Sequence, residues 1–553
     1  MIHSAVFNTS EICFQLGVRH AVLSPGSRNA PLTISFARNH KIKKWVIPDE
    51  RAAGFVALGI AQEVKEPVVL CCTSGTALLN YGPAVAEAYY RQIPLIVLSA
   101  DRPPELIDQR DGQTIRQFEA LKNHVKLSKN LPVVASGLDA VKYREHIKDA
   151  ISTALELPGG PVHINIPFRE PIYPPQDASF EFETSDQNIV PKTEVQQEFQ
   201  LPKVKKLLVL VGQQEPDPEL NNVIKEVSGL VPIIKSPLNN LESGINAVDS
   251  FIDKQQELVP DLLITSGLSV LSKKLKNFLR RNTPEFHLHF DEAGVSVDTY
   301  NSSPQLLQAS ISTVLKQLQS EDYTKELDPS YRTNWLKYEK TAIQVMKDCM
   351  KDSAFSEASA SKVVLELIPE GALLHLSNSM PVRYADLFFE RKHVTVRSNR
   401  GTSGIDGCTS TAVGNTLSSH RLNFLLTGDL AFLYDRNAFF HNYLLPNLRI
   451  IIMNNQGGGI FRLIDGPSNL PELSEYFETS HQRTAKYVCE ENQIDYLPVR
   501  SLNEITDQWN EFTSPSKHAK VMEVFTDPSI NQEVYKNFRR HLNGQLNQLE
   551  KSS

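Results

Sequence analysis

A chain of 553 residues is too long for one hydrophobic core and implies roughly three or four domains. Its 22% charged and 41% apolar residues are ordinary for a globular protein. The net charge of -7, from 57 basic and 64 acidic side chains, gives no sign of a general nucleic-acid or anionic-membrane surface, so an anionic ligand must meet local arginines and lysines.

No apolar run reaches the length of a membrane span, and Met1-Ile2-His3-Ser4-Ala5 has neither a basic start nor an apolar stretch; a soluble protein is expected. The cysteines, Cys13, Cys71, Cys72, Cys349, Cys408 and Cys489, show no C-x-x-C and no metal-ligand spacing. Cys71 and Cys72 read as small buried residues of a strand, and the set fits a reducing, cytoplasmic setting.

Residues 1–178 alternate strand and helix signals. After an amphipathic stretch from Ala5 to Leu16, the short strand Ala21-Val22-Leu23 breaks at Ser24-Pro25-Gly26-Ser27-Arg28. A helix restarting there exposes free N–H groups and the positive end of its dipole, a carboxylate or phosphate site that Ser27 and Arg28 would reinforce; the blander reading is a Pro-Gly turn with a Ser cap. The strand through Trp45-Val46-Ile47 delivers Glu50 to the start of a small-residue helix, where Ala52-Ala53-Gly54 would let another chain pack closely. Thr73-Ser74-Gly75, Asp101-Arg102 and the loop around Gln113 follow further strand signals, and Val162 to Pro167 closes the domain. No G-x-G-x-x-G follows a strand, so this is not a dinucleotide fold.

Residues 179–204 read as a Pro-, Gln- and Glu-rich surface linker. A central domain, 205–345, shows strand runs at Leu207–Val211, Val231–Ile234, Leu262–Thr265 and Phe286–Phe290, another α/β layer with too few glycines for a nucleotide site. Lys273 and Lys274 sit at a helix start, where the dipole disfavours cations, which points either to an anionic partner or to solvated lysines.

The third domain, 346–553, again places its polar residues at strand ends. Ala372–Leu376 leads to Ser379 and Arg383, and Val394–Val396 leads to Arg400 and Ile405. Phe424-Leu425-Leu426 and Ile450-Ile451-Ile452 read as adjacent buried parallel strands ending at Gly428-Asp429 and at Asn454-Asn455-Gln456-Gly457. In an open α/β sheet ligands bind beyond such strand ends, and the donors here are a carboxylate, a carboxamide and backbone carbonyls, all hard oxygens suited to Mg2+ or Ca2+. The segment from Gly457 to Gln482 is long, aromatic and proline-interrupted, as a lid would be.

Gly428-Asp429 followed by Asn455 resembles the diphosphate–metal motif of thiamine diphosphate enzymes, and Glu50 resembles their activating glutamate. Ser24-Pro25-Gly26-Ser27-Arg28, Ala100-Asp101-Arg102-Pro103, Ser398-Asn399-Arg400-Gly401, Gly404-Ile405-Asp406-Gly407 and Asn454-Asn455-Gln456-Gly457-Gly458 narrow the resemblance to the 2-succinyl-5-enolpyruvyl-6-hydroxy-3-cyclohexene-1-carboxylate synthase family of menaquinone biosynthesis. The match is strongest in the first and third domains; Lys274 stands where some relatives carry Arg.

The resemblance implies three doubly wound parallel-sheet α/β domains of the thiamine diphosphate-binding type. It implies decarboxylation of 2-oxoglutarate and conjugate addition of the resulting succinyl carbanion to isochorismate, with thiamine diphosphate and Mg2+, or Mn2+, as cofactors. By the same resemblance Arg28, Arg102, Gln113, Lys273, Ser379, Arg383 and Arg400 serve the substrates and Glu50 activates the cofactor. Ser27, Ile405, Gly428, Asp429, Asn455, Gly457, Ile460 and Phe461 would bind the cofactor, and Asp429, Asn455 and Gly457 the metal. Read from the residues alone, Ile405, Ile460 and Phe461 are ordinary core residues. The implied assembly is a homodimer or dimer of dimers with sites at subunit interfaces, without nucleic acid. Another thiamine diphosphate-dependent 2-oxo acid decarboxylase or carboligase is the alternative, and a non-enzymatic relative the remote one.

Overall fold

The computed structural model describes residues 4–134, 136–173, 199–351, 353–390, 393–463 and 466–551, so most of the expected linker lies outside the described residues. Short apolar segments form three sheets in which every pairing is parallel. The first holds β1 (His20–Leu23), β2 (Lys43–Val46), β3 (Val68–Cys72), β4 (Leu95–Asp101), β5 (Leu127–Asn130) and β6 (Val162–Pro167), in the order β2-β1-β3-β4-β6-β5. The second holds β7 (Leu207–Val211), β8 (Ile233–Ile234), β9 (Leu262–Ser266), β10 (Phe286–Phe290) and β11 (Gln305–Leu307), in the order β11-β10-β9-β7-β8. The third holds β12 (Leu373–Leu376), β13 (Thr395–Arg397), β14 (Asn423–Gly428), β15 (Leu448–Asn454), β16 (Asp495–Val499) and β17 (Lys520–Phe525), in the order β13-β12-β14-β15-β17-β16.

The central strands are buried along their whole length because helices cover both faces, as their Val-, Ile- and Leu-rich composition requires. β5, β11, β16 and β17 were not anticipated. The first three are half-exposed edge strands without a continuous apolar run. All six cysteines are free thiols, and all but Cys349 are buried. Among the described residues no helix is long and apolar enough to cross a membrane.

The first and third sheets meet through two helices, Glu50–Val64 and Cys408–Ser418. Each contributes a glycine where the other's backbone passes: a Cβ on Gly59 would lie 2.1 Å from the Thr411 carbonyl oxygen, and one on Gly414 2.1 Å from that of Val56. Gly54, in the small-residue stretch expected to admit another chain, instead faces Ala84 and Tyr81 of its own sheet's layer.

Beside this crossing the three sheets are joined by Arg397, the last residue of β13 and 3% exposed as a side chain. Its guanidinium donates to Glu63 at 2.6 Å, to Glu215 at 2.8 Å, to Asn415 at 2.9 Å and to the Gln62 carbonyl at 3.1 Å. Glu63 also accepts from Arg421 at 2.8 Å. Burial alone would raise the Glu63 carboxyl, but Arg397 and Arg421 outweigh it and hold the group below its ordinary 4.5. A carboxyl depressed in the folded state adds stability that is complete above its unfolded value and is lost as pH falls through the folded one. Below pH 4.5 the wild type should therefore lose stability more steeply than Glu63→Gln, which has no carboxyl to titrate; parallel acid limbs in urea unfolding would refute this.

Candidate active site

The third sheet reverses its strand order between β12 and β14, which opens a crevice beyond their carboxyl ends. β14 ends at Gly428 and a helix starts at Asp429; β15, paired beside it with Gly428 opposite Met453, ends at Asn454. Asp429 is 3% exposed: Oδ2 accepts from the Gly457 N–H at 3.0 Å and Oδ1 from the Leu430 N–H at 2.7 Å. Burial nonetheless pushes its carboxyl up to about 7. Next to it, Asn455 donates through Nδ2 to Glu357 Oε2 at 3.0 Å, while its Oδ1 is buried without a hydrogen-bond partner.

A buried carboxylate and an orphaned amide oxygen on neighbouring loops are the donors a hard divalent cation takes, so the residues present fit one. Among the described residues no group of three or more His, Cys, Asp or Glu side chains could hold a metal ion; this donor set has one carboxylate and is of a different kind.

Gly457 has φ +159, and a Cβ there would lie 2.8 Å from the Glu478 carbonyl oxygen. The returning segment seals the loop: Gly458 N donates to Glu478 O at 2.8 Å and His481 N to Gln456 O at 3.0 Å. The segment expected to form a lid is therefore pinned at its base, with an Arg462–Glu478 ion pair and the Phe461 and Phe477 rings 5.7 Å apart. Ile405, Ile460 and Phe461 are half-buried, and Ile460 packs against the hydrophobic core. Gly428 is also half-buried.

In the first sheet the same kind of crevice lies between β1 and β3. Arg28 is 4% exposed; it donates to the Phe168 carbonyl at 3.2 Å and pairs with Glu170 at 3.0 Å, and its Nε has no acceptor. Burial first, and then Arg102 nearby, lower its pKa. Arg102 donates to the Gly112 carbonyl at 3.1 Å, and its Nε, without a hydrogen bond, pairs with Asp111 at 3.7 Å. Ser27 and Gln113 are exposed, and Gln113 adopts φ +56. Glu50 opens its helix behind the Asp49 N-cap, is half-buried, and accepts from Asn80 at 3.2 Å.

A second cationic group gathers in the third sheet's crevice. Arg400 donates to Asn378 Oδ1 at 2.8 Å, and its pKa is lowered by burial and by Arg383. Arg383 reaches back to the Ser379 carbonyl at 2.5 Å, and Ser379 itself holds φ +77, a strained conformation for a non-glycine residue. Lys276 is half-buried, and its pKa is lowered by burial and then by Arg400. Lys273 is exposed one turn before it. Lys274 turns elsewhere, into a cavity of about 330 Å³ with Arg539, and burial and Arg539 bring it down to about 8. An acidic residue of the chain stands at this helix start: Asp249 accepts from Ser272 Oγ at 2.6 Å and from the Lys274 backbone N–H at 3.2 Å.

Sequence reading missed Lys276, Glu357, His481 and Glu87. The i,i+3 spacing from Lys273 could have found Lys276. His481 stands 3.5 Å from Asp429, 52 residues on, and Glu357 98 residues before Asn455, so neither had a local signal. Glu87, fully buried, accepts from the N–H groups of Gly401 and Thr402 at 2.9 and 2.7 Å and from Thr402 Oγ1 at 2.8 Å, and so latches the Arg400 loop from the first sheet's helices.

Residues 9–121 match the family described as "Thiamine pyrophosphate enzyme, N-terminal TPP binding domain". The fold is shared with benzoylformate decarboxylase from Polynucleobacter necessarius, at a TM-score of 0.67 and 16% identity, over 95% of this chain and 98% of that one. The N-terminal domain and the fold are thus those of the thiamine diphosphate-binding class.

A protein of Cytophaga hutchinsonii is 40% identical over 97% of this chain and 98% of its own length. One of Flavobacterium johnsoniae is 38% identical over 96% and 98%. Both are named 2-succinyl-5-enolpyruvyl-6-hydroxy-3-cyclohexene-1-carboxylate synthase, and the chain belongs to that family.

Removing the Glu87 latch should free the loop that carries Arg400. In Glu87→Ala, amide hydrogen exchange at Gly401 and Thr402 should speed up at least tenfold relative to the strands of the third sheet; unchanged protection would show that the loop is held otherwise.

Proposed function

We propose that the two cationic groups and the oxygen-donor crevice together join 2-oxoglutarate to isochorismate with loss of CO2, in the biosynthesis of menaquinone. The observation that supports this most directly is the clustering of like charge. Arg28 with Arg102, and Arg400 with Arg383 and Lys276, are clustered like charges in an acidic protein, and both substrates are dicarboxylates. Planar guanidinium forks grip carboxylates in a fixed orientation, which a pyruvate-type apolar acceptor pocket would not need.

Asp429 and Asn455 through their side chains, and Gly457 through its carbonyl, would hold a divalent ion, Mg2+ or Mn2+, and with it the cofactor's diphosphate. Bound there, thiamine diphosphate supplies the electron sink that decarboxylation of a 2-oxo acid requires. Glu50 would hold and return a proton at the cofactor's aminopyrimidine ring. Ile405, Ile460 and Phe461 would support the cofactor from the crevice wall, Ser27 would reinforce its anion site, and Ser379, Gln113 and Lys273 would orient substrate. Segments 1–178, 205–345 and 346–553 act as the three domains.

Two copies would complete each site. The side-chain hydrogen bonds and ion pairs of Arg28 and Arg102 stay within the first sheet's residues, and those of Arg383, Arg400, Asp429 and Asn455 stay within the third's. Glu50 remains half-exposed, and the large apolar side chains of Val46, Tyr434, Phe440 and Leu444 are all more than 45% exposed. A second copy covering this face would bring the Glu50 of one chain to the metal crevice of the other.

Supplied with thiamine diphosphate, Mg2+, 2-oxoglutarate and isochorismate, the protein should release CO2 together with the coupled product; release from pyruvate alone would overturn the assignment. Glu50→Gln and Asp429→Ala should each lower turnover at least a hundredfold. Mixing the two inactive proteins under conditions that exchange subunits should restore up to about a quarter of wild-type activity, the statistical share of intact sites, and no recovery with exchange verified would exclude shared sites.

A further inference from the structure

Asn455 can serve a cation only if its amide oxygen faces the crevice, and the residues behind it decide which way the amide points. We infer that Glu357 is a positioning residue that sets this orientation, an inference that rests on the metal reading of Asp429 and Asn455. Glu357 lies in the first turn of the helix Glu357–Leu367, is 3% exposed, and accepts the Asn455 Nδ2 hydrogen at 3.0 Å. Rotating the amide by half a turn would set its oxygen against the carboxylate, acceptor to acceptor. With Nδ2 held, Oδ1 is the atom left buried and without a partner on the other side.

The second wall of the amide is glycine. A Cβ on Gly459 would lie 2.5 Å from Asn455 Nδ2, so the third glycine of the loop makes room for the nitrogen that Glu357 holds. Glu357 is itself fixed from behind. Its backbone N–H donates to Asn531 Oδ1 at 2.8 Å, Asn531 Nδ2 donates to Thr526 Oγ1 at 3.0 Å, and the Thr526 N–H donates to the Asn454 carbonyl at 3.0 Å. The path starts at the Asn455 side chain and returns to the backbone of the preceding residue. It forms a closed ring through the Glu357 helix and the start of the helix Pro528–Lys551, and every side chain in it is buried. A ring so closed has no slack through which Asn455 could turn without breaking a buried bond. Outer partners of this kind tune metal affinity by 10- to 100-fold.

The test uses the full chain with thiamine diphosphate and reads bound Mn2+ by the loss of its free electron-spin signal. Glu357→Ala should weaken Mn2+ binding at least tenfold, while Glu357→Gln, which keeps an acceptor oxygen at the same reach, should recover most of it. Glu357→Met fills the volume without an acceptor, should match the alanine variant, and carries the comparison if that variant unfolds; the thermal midpoint of each cofactor-free protein separates folding from binding. Asp429→Ala is the control. If it leaves Mn2+ affinity intact, the metal reading falls. If it abolishes binding while Glu357→Ala and Glu357→Met bind as the wild type does, or if Glu357→Gln is no better than they are, the positioning role of Glu357 is refuted and the metal reading stands.

Discussion

One buried guanidinium ties the molecule together. Arg397 ends β13 in the third sheet, reaches Glu63 at the far end of the Glu50 helix, and reaches Glu215 just past β7 of the second sheet. Removing one partner of such a buried pair leaves an uncompensated charge and costs about 3–5 kcal/mol. The next residue, Ser398, continues the junction: its carbonyl accepts from Arg91 at 2.6 Å and from Gln213 at 2.8 Å. Two residues further on stands Arg400. The loop that carries Arg400 is therefore anchored at its root by all three sheets, and the Glu87 latch secures its other side.

The first and third sheets follow one wiring plan. Numbering the strands of each from its own start, both run 2-1-3-4-6-5. The site residues fall on matching positions of that plan. Ser27 and Arg28 follow the first strand of one sheet as Ser379 follows the first of the other. Glu50 follows the second strand and Ile405 the corresponding one. Gly75 and Asp429 follow the third strands, Arg102 and Asn455 the fourth. The carboxyl ends of strands at a reversal of order are where such sheets bind ligands, so one topology used twice sets the candidate residues at corresponding strand ends of both sheets. The helices that follow the second strand of each sheet are the pair that cross through Gly59 and Gly414, which makes the contact between the halves nearly symmetric.

The parts of this plan that could be read along the chain are those whose physics is local. β3, β4, β7, β14 and β15 are continuous apolar runs because both faces are covered, and Asp429 and Asn455 stand where two such runs stop. β17 hid behind Lys520 and Glu523, polar residues whose burial no local pattern explains. In the fold Glu523, 1% exposed, accepts from Asn454, Thr484, Tyr496 and the Ala485 N–H, so a charge inside the sheet is fully satisfied by groups 27 to 69 residues away. Glu357 and Glu87 were silent for the same reason: each acts through a partner 98 to 315 residues distant. Lys273 drew attention through its unfavourable dipole position at a helix start where Asp249 also stands, while Lys276 on the next turn is a lysine whose pKa Arg400 lowers.

The clamp and the latch explain how the site tolerates its own charge. Arg28, Arg102 and Arg400 each keep a buried Nε without a hydrogen bond, and a buried donor left unmade costs about 1–3 kcal/mol. Like charges add to that cost, Arg102 against Arg28 and Arg383 against Arg400. A loose scaffold would relieve both by letting the side chains swing into water. Here the carbonyls of Phe168, Gly112 and Ser379 and the amide oxygen of Asn378 hold the guanidiniums in place, and their supporting loops are pinned to neighbouring sheets. Orientation is thus settled during folding, when the stability of three sheets can offset it, so an anion meeting these groups would not have to order them.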